Sequence, residues 1–180
     1  MKSVLKNSLY LLLRFALVAF LSFTSYLLAA KYEFVSYILV VIYGFALLYF
    51  FSYTLWYEGD RDTNRVKIGQ APETLWKGFV SAAIVLVPII IALAVSLFFI
   101  SSTGPASEVW GLVRIILSSG GFYLFYVLFP LSPVGATVAV IFLYLIAIVC
   151  AGTGYILGYK RISVKETLKT RFSGIFRKNN

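Results

Sequence analysis

Long apolar runs alternate with short polar breaks along this chain, and their spacing predicts helices that cross a bilayer. A crossing takes about 20 predominantly apolar residues, because an α-helix rises 1.5 Å per residue through a hydrocarbon core about 30 Å thick. Ser8 to Ala30 is interrupted only by Arg14, Phe34 to Tyr57 is apolar and aromatic throughout, and Val134 to Tyr159 is unbroken. A third helix is expected to begin near Pro72, a residue suited to the first helical position, and to run through Lys77 to about Ile100. Pro88 in its middle predicts a kink.

The breaks are as informative as the runs. Lys31-Tyr32-Glu33 separates the first pair, and Glu58 to Lys77 (EGDRDTNRVKIGQAPETLWK), the only long polar interval between two membrane-length runs, reads as the loop joining the second and third helices. Ser101 to Glu108 (SSTGPASE) is a turn-rich break without Lys or Arg. After it, 109–133 is apolar but contains Arg114, is split at Ser118-Ser119-Gly120-Gly121 and ends at Pro130 and Pro133.

Positive charge chooses between the two readings of that segment. Of the sixteen Lys and Arg residues, all but Lys31 and Arg114 collect at the amino terminus, in the 58–77 loop and in the tail beyond Tyr159. Cytoplasmic segments are enriched in Lys and Arg, so these three belong on one side, which requires an even number of crossings. The expected fold is therefore an all-α membrane protein of four transmembrane helices, about 8–30, 34–57, 72–100 and 134–159. A re-entrant or interfacial hairpin at 109–133 joins the last two, within a single domain, 1–180. The alternative, five transmembrane helices, would export the tail cations.

The amino-terminal run resembles a signal peptide. It is longer than the usual apolar core of one, and Leu28 rather than a small residue precedes Ala29-Ala30, so retention as the first crossing is expected. Arg14, near its start, can snorkel to the interface. Tyr32, Trp56, Tyr57 and Trp76 stand where aromatic side chains mark headgroup level. In the last helix Ala147, Ala151, Gly154 and Gly158 share one face, a small-residue stripe ending in GxxxG that lets another backbone approach closely; packing within the chain is the expected use, ahead of homodimerisation. Beyond it, Val164, Leu168, Phe172 and Ile175 alternate with cations over 163–176, and Ser163-x-x-Glu166 offers a capping box. The reading is a basic amphipathic helix on the cytoplasmic leaflet, with Lys160, Arg161, Lys165, Lys169 and Arg171 over anionic headgroups.

Composition adds class and limits chemistry. The chain is 61% hydrophobic and 13% charged, against roughly a quarter charged in soluble domains. Its net charge of +9 sits beside apolar runs, which favours anionic lipid and not nucleic acid as the partner. With no His and one Cys, neither an intramolecular disulfide nor a catalytic system built on imidazole can form within the chain. Cys150, inside an apolar run, reads as a small buried hydrophobe.

Asp60-Arg61-Asp62-Thr63-Asn64 has the opening spacing of an EF-hand loop, but Arg65 stands where the turn glycine belongs and Ala71 where the bidentate Glu belongs. A D-x-D metal site is disfavoured by the adjacent cations. The acids Glu58, Asp60, Asp62 and Glu73 instead balance Arg61, Arg65, Lys67 and Lys77, as in a self-neutralising loop pinned over helix ends with turns at Asn64 and Gly69. The position of this loop is similar to that of the loop between helices two and three of major-facilitator transporters, without that motif's full glycine and basic pattern. No Asp or Glu falls inside a spanning run, which disfavours an ion-coupled pump.

Gly59-Asp60-Arg61-Asp62-x-Asn64-x-Val66, Lys77-Gly78, Pro88 and Gly154-Tyr155-x-Leu157-Gly158-Tyr159-Lys160-x-Ile162-Ser163 together resemble a group of small uncharacterised polytopic membrane proteins of Gram-positive bacteria. The resemblance implies a multi-pass plasma-membrane protein and carries no activity with it. No catalytic, cofactor or metal site is assigned. The expected function is that of a non-enzymatic subunit or accessory component of a membrane assembly. Asp60, Arg61, Asp62, Asn64, Arg65 and Lys67 are the candidate partner-interaction residues. The alternative is a binding or permeating component for a small apolar or amphipathic solute, with Arg114 at its cavity.

The four-helix arrangement puts both termini in the cytoplasm. In a Cys150→Ser background, Asn180→Cys should react with a membrane-impermeant thiol reagent only after the cytoplasmic face is opened; labelling of intact cells would require the five-helix arrangement.

Overall fold

The computed structural model describes residues 2–29, 33–70, 74–100, 105–118 and 132–161. Among them the chain is all-helical, with α1 (Lys2–Ala29), α2 (Glu33–Lys67), α3 (Lys77–Phe98), α4 (Pro105–Ser118) and α5 (Pro133–Tyr159). Three stretches, Ser3–Ser22, Lys77–Phe98 and Pro133–Tyr159, are long and apolar enough to cross a membrane. The amphipathic segment 163–176 and the second half of the 109–133 hairpin lie outside the described residues.

The largest departure from the sequence reading is at the polar interval. Glu58 to Lys67 is not a loop but the last turns of α2, which continues well past Tyr57. Nothing in EGDRDTNRVK breaks a helix, since its one glycine costs only about 1 kcal/mol in a helix interior. Glu58–Arg61 and Asp62–Arg65 ion pairs at i,i+3, each 3.1 Å, also favour it. Asn64, expected in a turn, is therefore helical. The true stop is Gly69, at φ 72, where Gly69 N–H bonds to Val66 O and Gln70 N–H to Arg65 O, the paired bonds of a Schellman motif.

Helix three likewise starts later than Pro72. Residues 75 and 76 turn, Trp76 takes the N-cap position, and α3 begins at Lys77, whose side chain is drawn back to Asp62 of α2. The helix runs on through Pro88. In α1 the departure is smaller: Lys2 and Lys6 lie inside the helix instead of before it. The break at 101–108 is also shorter than its composition suggested, because Pro105 opens α4 and Glu108 lies in its first turn, where a carboxylate suits the helix dipole.

Contacts between the helix ends give the topology. The Ser8 hydroxyl bonds to Ser81 O, Asp62 meets Lys77, and Thr63 meets Tyr159 O. The start of α1, the end of α2, the start of α3 and the end of α5 therefore gather at one end. The end of α3 and the start of α5 are at the other, and α4 begins there beside Phe99, whose ring stacks on Trp110 at 5.4 Å. From that end α4 descends into the bundle, since the Tyr144 hydroxyl, eleven residues and roughly 16 Å along α5, donates to Leu117 O at 2.6 Å.

The most extensive packing joins α2 and α5, which run parallel. Gly154 and Gly158 face α2: a Cβ on Gly154 would approach Ser52 O to 2.5 Å, and one on Gly158 would overlap the Trp56 carbonyl. Ala147 and Ala151, on the same stripe, are fully buried, so the stripe is used within the chain. Where lipid supplies no hydrophobic drive between helices, such close backbone contact supplies dispersion energy instead. Large side chains fill the remaining core: Leu11 and Phe15 of α1, Phe51 of α2, Leu86 and Leu93 of α3, and Tyr144 of α5, with Phe15 edge-on to Tyr144 at 5.8 Å. The outer surface is apolar as well, with Leu13, Phe20, Phe45, Ile91, Phe98 and Phe142 exposed, as a lipid-facing surface requires.

Gly158→Val should lower the stability of the detergent-solubilised chain by about 1–3 kcal/mol through overpacking, measured as a fall in the thermal unfolding midpoint. Gly111→Ala, with nothing within 4 Å of the added carbon, should leave it unchanged or slightly raised.

Candidate functional site

Three helices meet at the carboxylate of Asp62. Its Oδ2 accepts from Lys77 Nζ at 2.5 Å and from the Tyr155 hydroxyl at 2.8 Å, and its Oδ1 from Arg65 Nη1 at 3.1 Å. Asp62 is only 3% exposed, so unpaired it would cost several kcal/mol; it is the three donors that make burial tolerable. Burial by itself pushes the Asp62 pKa up, but hydrogen bonds from Lys77 and Tyr155, the Lys77 charge and the Arg65 hydrogen bond outweigh it and hold the carboxyl below its usual value of 3.8.

Neighbouring residues extend the cluster without opening it. Glu58, one turn before Asp62 and also buried, pairs with Arg61, whose guanidinium lies 5.8 Å from the centre of the Tyr57 ring. The Thr63 hydroxyl reaches Tyr159 O at 2.6 Å. Arg161 stands in the left-handed region at φ 55, a conformation that costs a non-glycine residue about 1 kcal/mol. Its Nε is 3.3 Å from Asp60, and Nη2 donates to Asn64. Grouped by its sequence with the lipid-facing cations, Arg161 thus also ties the end of α5 to α2. Lys160 beside it is exposed, and Lys165, Lys169 and Arg171 lie outside the described residues.

The six candidate partner residues therefore divide. Asp62 is buried and consumed by internal donors, Asp60, Arg61, Asn64 and Arg65 are engaged but partly open, and Lys67 is exposed. Asp60 and Asp62 turn to different cations and do not converge as a D-x-D ligand pair. Among the described residues no group of three metal-ligating side chains occurs. Tyr155 and Lys77 are the members that sequence reasoning missed: nothing in their spacing says that they converge on Asp62.

Arg114 is elsewhere. It lines a cavity of about 220 Å³ at the opposite end of the bundle, between the end of α3 and the first turns of α4, with Ser96, Phe99, Ser107, Glu108 and Trp110. The Arg114 Nε is shielded from solvent and has no hydrogen-bond acceptor among the described residues. Arg14 lies over the Phe50 ring at 5.7 Å from its centre, a cation–π contact between α1 and α2. Asn7, buried on α1, has no partner for its amide among the described residues, and neither has the Ser81 hydroxyl.

Because its pKa is lowered in the folded chain, Asp62 adds stability at pH values above 3.8, and this is lost as pH falls through the folded value. Asp62→Asn should cost roughly 3–5 kcal/mol at pH 7 by leaving Lys77 uncompensated. In chemical unfolding of the detergent-solubilised chain, the gap between wild type and variant should close as the pH is taken below 4. The chain matches no known protein family, no curated protein and no solved structure.

Proposed function

We propose that this chain is a multi-pass plasma-membrane protein that acts without catalysis, as a subunit or accessory component of a membrane assembly. Four helices cross in this reading, α2 through its apolar stretch 34–57 being the fourth, and both termini are cytoplasmic. Two observations support that topology: the Lys and Arg residues cluster at the end where α1 starts and α5 stops, and α3 ends and α5 begins at the other end. The descent of α4 to the level of Tyr144 favours a re-entrant segment for 109–133.

The observation that carries the functional reading is the use to which the charged residues are put. Asp62, Lys77 and Tyr155 are turned inward to hold helix ends in register, which suits a rigid frame. Arg61, Arg65 and Lys67 leave a cationic edge on the cytoplasmic side, the natural contact for an acidic surface of a partner. A second reading, a binding component for a small amphipathic solute, is favoured by the cavity beside Arg114.

Purification in mild detergent should recover the chain with a stoichiometric membrane-protein partner. The charge reversal Lys67→Glu, at an exposed side chain, should release that partner while the thermal midpoint changes little. A chain that is always recovered alone, with loop variants behaving as wild type, overturns the reading.

A further inference from the structure

The cavity at the α3–α4 end has an electrical pattern of its own. Arg114 lies on one part of its wall and Glu108 on another, and among the described residues neither has an ion-pair partner. Among the described residues the Arg114 Nε meets no acceptor, a costly state for a buried charged donor. The stacked Phe99 and Trp110 rings complete the wall and offer aromatic surface to an ammonium group. A ligand that satisfies all three features carries an anion and an ammonium a few ångströms apart.

The surroundings say what else that ligand carries. Val109, Leu112 and Ile116 form an exposed apolar stripe along α4, 58%, 62% and 61% exposed, and Phe98 at the end of α3 is 83% exposed. Apolar side chains beside a polar cavity at a helix end provide a bed for acyl chains below a headgroup. At about 220 Å³ the cavity takes a headgroup and not a whole lipid.

We infer that this cavity binds the headgroup of a zwitterionic phospholipid, with Arg114 holding the phosphodiester, Glu108 the ammonium, and the acyl chains lying over Phe98 and the Val109–Leu112–Ile116 stripe. The inference rests on the binding-component reading for its site and goes further by naming the ligand. Charge complementarity selects this occupant over an anionic lipid, because Glu108 repels a headgroup that lacks the ammonium. A free zwitterion such as an amino acid would leave the apolar stripe unused.

The test is native mass spectrometry of the purified full chain offered phosphatidylethanolamine and phosphatidylglycerol with identical acyl chains. Phosphatidylethanolamine should be retained about tenfold more, the ratio that 1.4 kcal/mol supplies. Glu108→Gln, an exposed position whose change leaves the packing intact, should abolish the preference while lipid is still bound; Arg114→Gln should release both lipids. Equal retention of the two lipids by the wild type, or a preference unmoved by Glu108→Gln, overturns the inference while leaving a binding component in place. Soluble glycerophosphoethanolamine binding as tightly as the lipid overturns the lipid assignment in favour of a free solute. Retention of neither lipid nor soluble headgroup overturns the inference and the binding-component reading together.

Discussion

A single carboxylate with donors from two other helices sets the register of this bundle. Helices in lipid gain little from hiding apolar surface from one another, so many sliding and rotated arrangements of α2, α3 and α5 would be close in energy. Asp62 removes that freedom. Its burial is tolerable only where Lys77 and Tyr155 both arrive within hydrogen-bond distance, and that happens in one arrangement of the three helices.

Close backbone packing is the condition under which those donors can arrive. Gly154 and Gly158 allow α5 to lie against the carbonyls of Ser52 and Trp56, and Gly59 returns the favour where α2 passes the Tyr155 carbonyl. The Tyr155 ring then lies on Gly78 of α3, and its hydroxyl completes the Asp62 shell. Small residues and buried charge are therefore one device. The glycines bring the backbones together, and the polar contacts say at which height.

The two ends of the bundle consequently do different work. At the Asp62 end, charge is spent on holding α2, α3 and α5, and Arg161 and Thr63 add a second clasp between α2 and α5. At the α4 end, Arg114 and Glu108 line a cavity, and among the described residues neither forms an ion pair. Tyr144 ties α4 to the core, since its buried ring packs on Phe15 while its hydroxyl anchors Leu117 at the tip of α4.

The existence of the long helices and the packing use of the Ala147–Gly158 stripe were legible in the chain, because apolar length and small-residue spacing are local properties that survive without tertiary information. The end of α2 was not. Polar residues between apolar runs look like a loop when solvent is the only imagined partner, yet Glu58 to Lys67 is helical because its faces pair with one another and, at Asp62, with residues far away in sequence. Lys77 read as one charge in a neutral loop and Tyr155 as one aromatic in a glycine-rich motif. Their convergence on Asp62 depends on the parallel α2–α5 contact and the return of α3, and no spacing along a single chain encodes the distance between side chains on three different helices.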